Sequence, residues 1–228
     1  MLGFLNIAAE MVIISFLSCW LNLLYTENRE ELSFPNKYPC PWQRRSLKII
    51  LACLVLALAS ACLLPDSSAV LRILDIYGFG SSHPPAGSNF FFVIFSSFLL
   101  MMLWSDMEQQ IIMNQQLALF AVLGLCFQLL TQPQELYAQL ATALASGVIF
   151  LLLAILARGG IGGGDIKLLA ALGLWLSPSS MELVAIGGIV LGGLAALWVL
   201  LAKGKGRRDY IPYGPGFIVM ALLAYLWQ

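Results

Sequence analysis

An all-α, polytopic membrane protein of about eight transmembrane helices, with both termini on the outer (periplasmic) face, is the fold class that this sequence predicts. Three observations carry that expectation. Hydrophobic residues make up 60% of the 228 and charged residues only 11%, for a mean hydropathy of +0.87, which is more apolar surface than a soluble fold of this size can bury. The apolar residues gather into eight runs, at roughly 4–25, 47–64, 89–105, 115–131, 137–157, 166–177, 182–202 and 211–227, most of them near the length of about 20 residues that crosses a bilayer. The Lys and Arg residues fall in alternate connections between these runs, as they do where basic loops stay in the cytoplasm.

The first run carries Glu10, with no basic stretch before it and no small-residue cleavage site after it, so it reads as a retained span rather than a removable signal. The polar segment behind it holds Glu27, Arg29, Glu30, Glu31, Lys37, Arg44, Arg45 and Lys48 and is too short for a separate domain. Arg44, Arg45 and Lys48 assign it to the cytoplasmic side. The connection 65–88 is rich in Ser, Pro and Gly, with Arg72 its only basic residue, and suits the outer face. The third run returns the chain to the inner face at Asp106, with Trp104 as an interfacial residue. Met107 to Asn114 then reads as a short turn, and the next connection, Thr131 to Glu135, has no basic residue.

Arg158 and Lys167 bracket a glycine-rich loop on the inner side, and Lys203, Lys205, Arg207 and Arg208 cluster in the seventh connection. The sixth run is short, since Ile166 to Leu176 covers only about 17 Å as a helix. A re-entrant helix there would throw the 203–208 cluster to the outer face, so the charge pattern favours a true crossing eased by local bilayer thinning. As domains, the pattern gives an N-terminal two-span region, 1–64, and a six-span core, 65–228.

Composition also excludes several chemistries. Formal charge is zero, so no bulk electrostatic attraction to nucleic acid is expected; the expected surroundings are membrane lipid. Of Cys19, Cys40, Cys53, Cys62 and Cys126, four lie in apolar runs and none forms a Cys-x-x-Cys pair, which argues against a disulfide framework or a thiolate metal site. His83 is the one histidine, too little for a His-based metal centre or a Ser/His/Asp triad.

The stretch 159–169, Gly-Gly-Ile-Gly-Gly-Gly-Asp-Ile-Lys-Leu-Leu, concentrates the remaining chemistry. Five glycines in six positions free the backbone and let another chain come close. Asp165 follows at the threshold of an apolar run, where an ionisable group is costly and functional by default. A helix-packing surface is the commoner fate of such glycines, and a phosphate loop is set aside because no Gly-Lys-Ser/Thr follows. The partner for Asp165 is Asp106, predicted on the same face of the bilayer at the same depth. Two aspartates a few ångströms apart share a proton, so one can take a proton from water while the other polarises a peptide carbonyl. No metal is required, and Gly162, Gly163 and Gly164 would admit an extended peptide.

Lys167 and Glu108 flank the pair as candidate substrate-positioning residues. Against those roles stand an interfacial anchor for Lys167 and a solvated helix-start residue for Glu108. Gly187-Gly188 and Gly192-Gly193 have the small-xxx-small spacing of packed helices. Pro212, Tyr213 and Pro215 suit the opening of the last helix.

These residues resemble the type IV prepilin peptidases, which are GxGD-type intramembrane aspartyl proteases. Gly162-Gly163-Gly164-Asp165-Ile166-Lys167-Leu168-Leu169, continuing to Gly173, is similar to the family's second catalytic signature. Asp106-Met107-Glu108 through Ile112 is similar to the first, with Met113 where the family carries proline. Ile211-Pro212-Tyr213-Gly214-Pro215-Gly216 resembles its opening of the last span. The resemblance covers roughly 89–228. It implies Asp106 and Asp165 as the catalytic pair, and prepilins of type IV pili or type II secretion pseudopilins as substrates, cut after a short basic leader at the bacterial inner membrane. It also implies possible methylation of the new N-terminus with S-adenosylmethionine, for which 1–64 would be a reduced methyltransferase-like region holding only Cys40 of the family's cysteine tetrad. The competing class is a proton- or ion-coupled transporter using Asp106 and Asp165. Transporters, however, usually place such acids near the midplane of repeated halves, and no repeat is visible here.

Overall fold

The computed structural model describes residues 2–28, 30, 32, 88–157, 161–203 and 213–227. Among them the chain forms α1 (Leu2–Glu27), α2 (Ser88–Gln109), α3 (Asn114–Thr131), a 3-10 turn (Pro133–Glu135), α4 (Leu136–Leu156), α5 (Gly163–Leu172), α6 (Pro178–Lys203) and α7 (Gly214–Trp227), with no strand. Seven of the eight apolar runs thus have a helix over them. The eighth, 47–64, lies outside the described residues, as do Cys40, Arg44, Arg45, Lys48, His83, Arg158 and the basic residues at 205–208. Phe91–Gln109, Asn114–Thr131, Pro133–Leu156 and Pro178–Trp198 are long and apolar enough to cross a membrane, and Val12–Glu27 and Gly214–Tyr225 are shorter apolar helices.

The chain divides into two compact units, Met1–Met101 with Leu226–Gln228, and Met102–Tyr225. In the first, Ile14, Leu17, Leu21 and Leu24 form a buried stripe on α1, at the three- and four-residue steps that align one helix face. Trp20 meets Phe98 of α2 edge-on at 6.4 Å. The opposite face of α1 shows Val12, Phe16 and Leu23, apolar residues that suit lipid contact rather than water.

The second unit is built around α5 and the turn after it. Leu168, Leu169, Leu172, Trp175 and Leu176 are all at 0% exposure, because α3 packs on one side and α4 on the other. Trp175 stacks on Phe120 and Phe127 of α3, at 5.2 and 5.5 Å, and its indole N–H donates to the Phe120 carbonyl at 3.0 Å. Gly124 makes room for that indole, since a Cβ there would lie 2.6 Å from its nitrogen. Toward α4, Ser146 Oγ donates to Leu169 O at 3.1 Å, Gly147 meets Ala170, and the Gln139 amide, turned to face its acceptors, donates to the carbonyls of Gly173 and Leu176. Residues 139, 143 and 147 of α4 therefore meet 176, 173 and 170 in reverse order. Segment 163–176 runs back along α4 almost to its start, antiparallel to α4 and parallel to α3.

The close approach at Gly173 is specific. A Cβ there would stand 2.6 Å from Ala143 Cα and 2.7 Å from Ala143 N, backbone atoms that cannot rotate away. Gly173→Ala is expected to destabilise the protein by about 1–3 kcal/mol, the usual cost of overpacking, read as a lower thermal unfolding midpoint in detergent. An unchanged midpoint would mean that α4 and α5 are less tightly packed than described.

Helices α6 and α7 pack through glycine as the spacing predicts. Gly187, Gly188 and Gly192 lie against Met220, Phe217 and Tyr213, and a Cβ on Gly216 would stand 2.8 Å from Gly188 O and 2.9 Å from Gly192 N. Gly193 meets nothing within 4 Å and lies off this contact. The reversed order of these pairs makes α6 and α7 antiparallel. Phe127 of α3 contacts Tyr225 of α7 at 6.5 Å, at the far ends of both helices. At their near ends, Ile112 just before α3 lies against Gly164, and Gly214 of α7 lies against Asp165. Helices α3, α5 and α7 thus begin together at one end of the unit, where α2 finishes.

Candidate active site

The end shared by those four helices is where the acidic residues meet. Asp106 lies in the last turn of α2, which continues to Gln109 instead of stopping at 105 as the hydropathy predicts. The helix closes with Gln110 in the left-handed region (φ 57), its N–H donating to Asp106 O at 2.8 Å. This is the single-bond αL termination usually given to glycine. Ser105 Oγ donates to Ile111 O at 2.7 Å and folds the chain back. The turn is therefore 110–113, narrower than the 107–114 read from sequence. Met113 ends it at φ −73, inside the range proline allows, so the departure from proline leaves this backbone shape in place.

Asp165 stands in the first turn of α5, where the exposed N–H groups favour a carboxylate. The helix starts at Gly163, with Gly162 extended before it (φ −68, ψ 144) and accepting from the N–H groups of Asp165 and Ile166. Both carboxylates are 4% exposed, and Oδ2 of each is buried without a hydrogen-bond partner among the described residues. Isolated carboxylates in such surroundings are expensive.

Both carboxylates lie against Gly214, the first residue of α7, whose missing side chain leaves them room. A Cβ on Gly214 would lie 2.7 Å from Asp106 Oδ2 and 3.1 Å from Asp165 Oδ1. The two oxygens are therefore no further apart than the sum of those distances, about what one water can span with two hydrogen bonds of about 2.8 Å.

The flanking residues take distinct positions. Gly163 opens onto free space, with nothing within 4 Å of a Cβ placed there, while Gly164 meets Ile112 at an ordinary 3.5 Å. Lys167 is exposed and donates from Nζ to Asn114 Oδ1 at 2.7 Å, fastening α5 to the start of α3. Glu108 is not at a helix start as expected: it sits in the last turn of α2, half-buried, and accepts the Trp104 indole N–H at 2.6 Å. Among the described residues no three His, Cys, Asp or Glu side chains gather into a metal-holding group. Gly214 is the site residue that sequence reasoning passed over. In the sequence it was read only as part of the Ile211-Pro212-Tyr213-Gly214-Pro215-Gly216 opening of the last helix, not as a neighbour of the aspartates.

Residues 93–197 match the type IV leader peptidase family, a range that contains both aspartates. The prepilin leader peptidase/N-methyltransferase of Bacillus subtilis (strain 168) is 28% identical over 131 residues, covering 58% of this chain and 53% of that protein. That of Xanthomonas campestris pv. campestris is 26% identical over 166 residues, covering 70% and 56%. That of Legionella pneumophila is 34% identical over 67 residues, covering 29% and 23%. The chain spans about half the length of the first two. No solved structure matches. The family match covers a little under half of the chain and contains both aspartates, so across its acidic site this chain is similar to the type IV leader peptidase family.

Proposed function

We propose that this protein is a membrane-embedded aspartyl endopeptidase that removes the short basic leader from type IV prepilins or type II secretion pseudopilins. The single observation that carries the reading is Gly214 standing against both Asp106 and Asp165 at once. In the proposed reaction one carboxylate takes a proton from water as the oxygen bonds to the peptide carbon. The protonated partner polarises the carbonyl oxygen, and the C–N bond then breaks with a proton passing to the departing nitrogen. No covalent enzyme intermediate forms.

In this reading the acidic end faces the cytoplasm of a bacterial inner membrane. The connection following α4 carries Arg158 and that following α6 carries Lys205, Arg207 and Arg208, and both join helix ends on the side of the aspartates. Eight spans with both termini periplasmic follow, with 163–176 taken as a true crossing because it returns along α4 almost to its start. Residues 1–64 form the two-span region and 65–228 the six-span peptidase core. Methyl transfer from S-adenosylmethionine is the second activity in the relatives' names, and here it is an activity to be tested alongside cleavage.

The deciding experiment incubates membranes containing the full chain with a prepilin, with and without S-adenosylmethionine, and reads the products by mass. The expected result is loss of the leader in both arms; an uncut prepilin would end the proposal. A methyl group on the new N-terminus in one arm only would establish the second activity.

Gly163 gives a sharper test of how substrate enters. Alanine fits there without a clash and favours the helix by about 1 kcal/mol. Gly163→Ala is expected to raise the thermal midpoint and also to raise KM, because the added methyl narrows the approach for an extended backbone. An unchanged KM would remove Gly163 from the substrate path.

A further inference from the structure

Helix α5 has Gly162 as its cap, Gly163 and Gly164 as its first two residues and Asp165 as its third. The first N–H groups of a helix have no partner within it. At this start the N–H groups of Asp165 and Ile166 both donate to the Gly162 carbonyl, at 3.1 and 3.3 Å. Those of Gly163 and Gly164 have no acceptor among the described residues.

The acidic side chains show that something belongs at this end of α5. The Asp165 carboxylate lies within reach of the Gly162 N–H, the reciprocal contact of a capping box, so it is turned back over the helix start. Asp165 Oδ1 and Asp106 Oδ2 come to the same point beside Gly214. Both aspartates are 4% exposed, and Oδ2 of each is unpartnered among the described residues. Buried polar atoms are nearly always paired, and two orphaned oxygens beside two free N–H groups make a place for a polar ligand.

The way in is over Gly163. This residue is exposed, and nothing lies within 4 Å of a Cβ placed on it, whereas Gly164 is closed on its side by Ile112. A helical Cβ leans toward the helix start, which is also the direction in which the free N–H groups point. Open space, donors and carboxylates therefore share one side of α5.

We infer that the N–H groups of Gly163 and Gly164 form the oxyanion hole of the peptidase, donating to the carbonyl oxygen of the scissile bond. The inference rests on the peptidase reading above and deepens it. As the water oxygen bonds to the carbonyl carbon, the π pair of the C=O bond moves onto its oxygen. The two N–H groups, at the positive end of α5, hold that charge while the protonated aspartate delivers its proton to the same oxygen. Donors fixed by a helix need no rearrangement as the charge develops.

Proline at the first position of a helix removes one of these donors and keeps the backbone, since its φ suits that position. Gly162, at φ −68 and ψ 144, already has the conformation of a residue before proline, and the ring would enter open space. Gly163→Pro is therefore expected to fold, with a thermal midpoint at or above that of the wild type. The test measures cleavage of a synthetic prepilin-type peptide by purified full-length protein in detergent, and compares Gly163→Pro with Gly163→Ala, which adds bulk but keeps the N–H. The kcat of the proline variant is expected to lie about a hundred-fold below that of the alanine variant, the loss usual for one oxyanion donor, with similar KM. Equal kcat values overturn the inference and leave the peptidase reading intact. If the proline variant does not fold, amide NMR of the wild type with labelled glycines decides. In protein inhibited by a peptide ketone that hydrates to a gem-diol, the Gly163 and Gly164 amide protons are expected to move downfield, the first identified by its loss in Gly163→Ala. Unmoved amides overturn the inference. A wild-type protein that does not cut the peptide overturns both readings.

Discussion

Alanine at Gly214 is expected to lower kcat/KM on the order of a hundred-fold while leaving the fold intact. Its methyl carbon would stand 2.7 Å from Asp106 Oδ2 and 3.1 Å from Asp165 Oδ1. Those oxygens are the ends of rotatable side chains, so the carboxylates swing aside and the helices need not part. Displacements near 1 Å in a catalytic group commonly cost about a hundred-fold. As alanine is also the better helix former at the first position of α7, the thermal midpoint should hold or rise. Kinetics and thermal unfolding of the purified variant check both halves. A normal rate would mean that the aspartates do their work in an arrangement other than the one described.

Asn at Asp106 or at Asp165 is expected to reduce cleavage of a prepilin by roughly a hundred- to ten-thousand-fold, the range over which positioned acid–base groups act. The amide keeps the shape of the carboxyl group but can neither take a proton from water nor deliver one to the leaving nitrogen. Stability should move the other way. Each carboxylate is 4% exposed with Oδ2 unpaired among the described residues, so a neutral group relieves a desolvation cost and the thermal midpoint is expected to rise. Activity lost together with stability gained is the mark of a site that holds strained chemistry. Activity lost together with the fold would point instead to a structural role for the carboxylate.

Much of this was legible from the chain because lipid imposes a simple code. An apolar run of sufficient length becomes a helix, and seven such runs did so among the described residues. The boundaries were read less well, and the misses share a cause. Helix α2 runs on to Gln109 through Asp106 and Glu108, because polar residues at a membrane edge do not end a helix, and the residue that does end it, Gln110 at φ 57, carries no glycine to announce it. Helix α5 begins at Gly163 rather than at 166, since glycines contribute little to a hydropathy profile whatever conformation they take.

The pairing of Asp106 with Asp165 could be inferred because charge placement put both on one face. It is also what separates the peptidase from the transporter reading, as the two acids gather at one end of the helices instead of midway along them. Gly214 could not be inferred in the same way. Its part is steric, and a close approach between helices distant in sequence leaves no pattern in either one.

The central claim, that the two aspartates form one catalytic unit, is tested most directly by cleavage rates of Asp106→Asn, Asp165→Asn and the double variant measured side by side. Residues that act as a unit are strongly non-additive, so the double variant is expected to be no slower than the worse single one. A double variant slowed by the product of the two single effects, or a single variant that cuts at the wild-type rate, would contradict it.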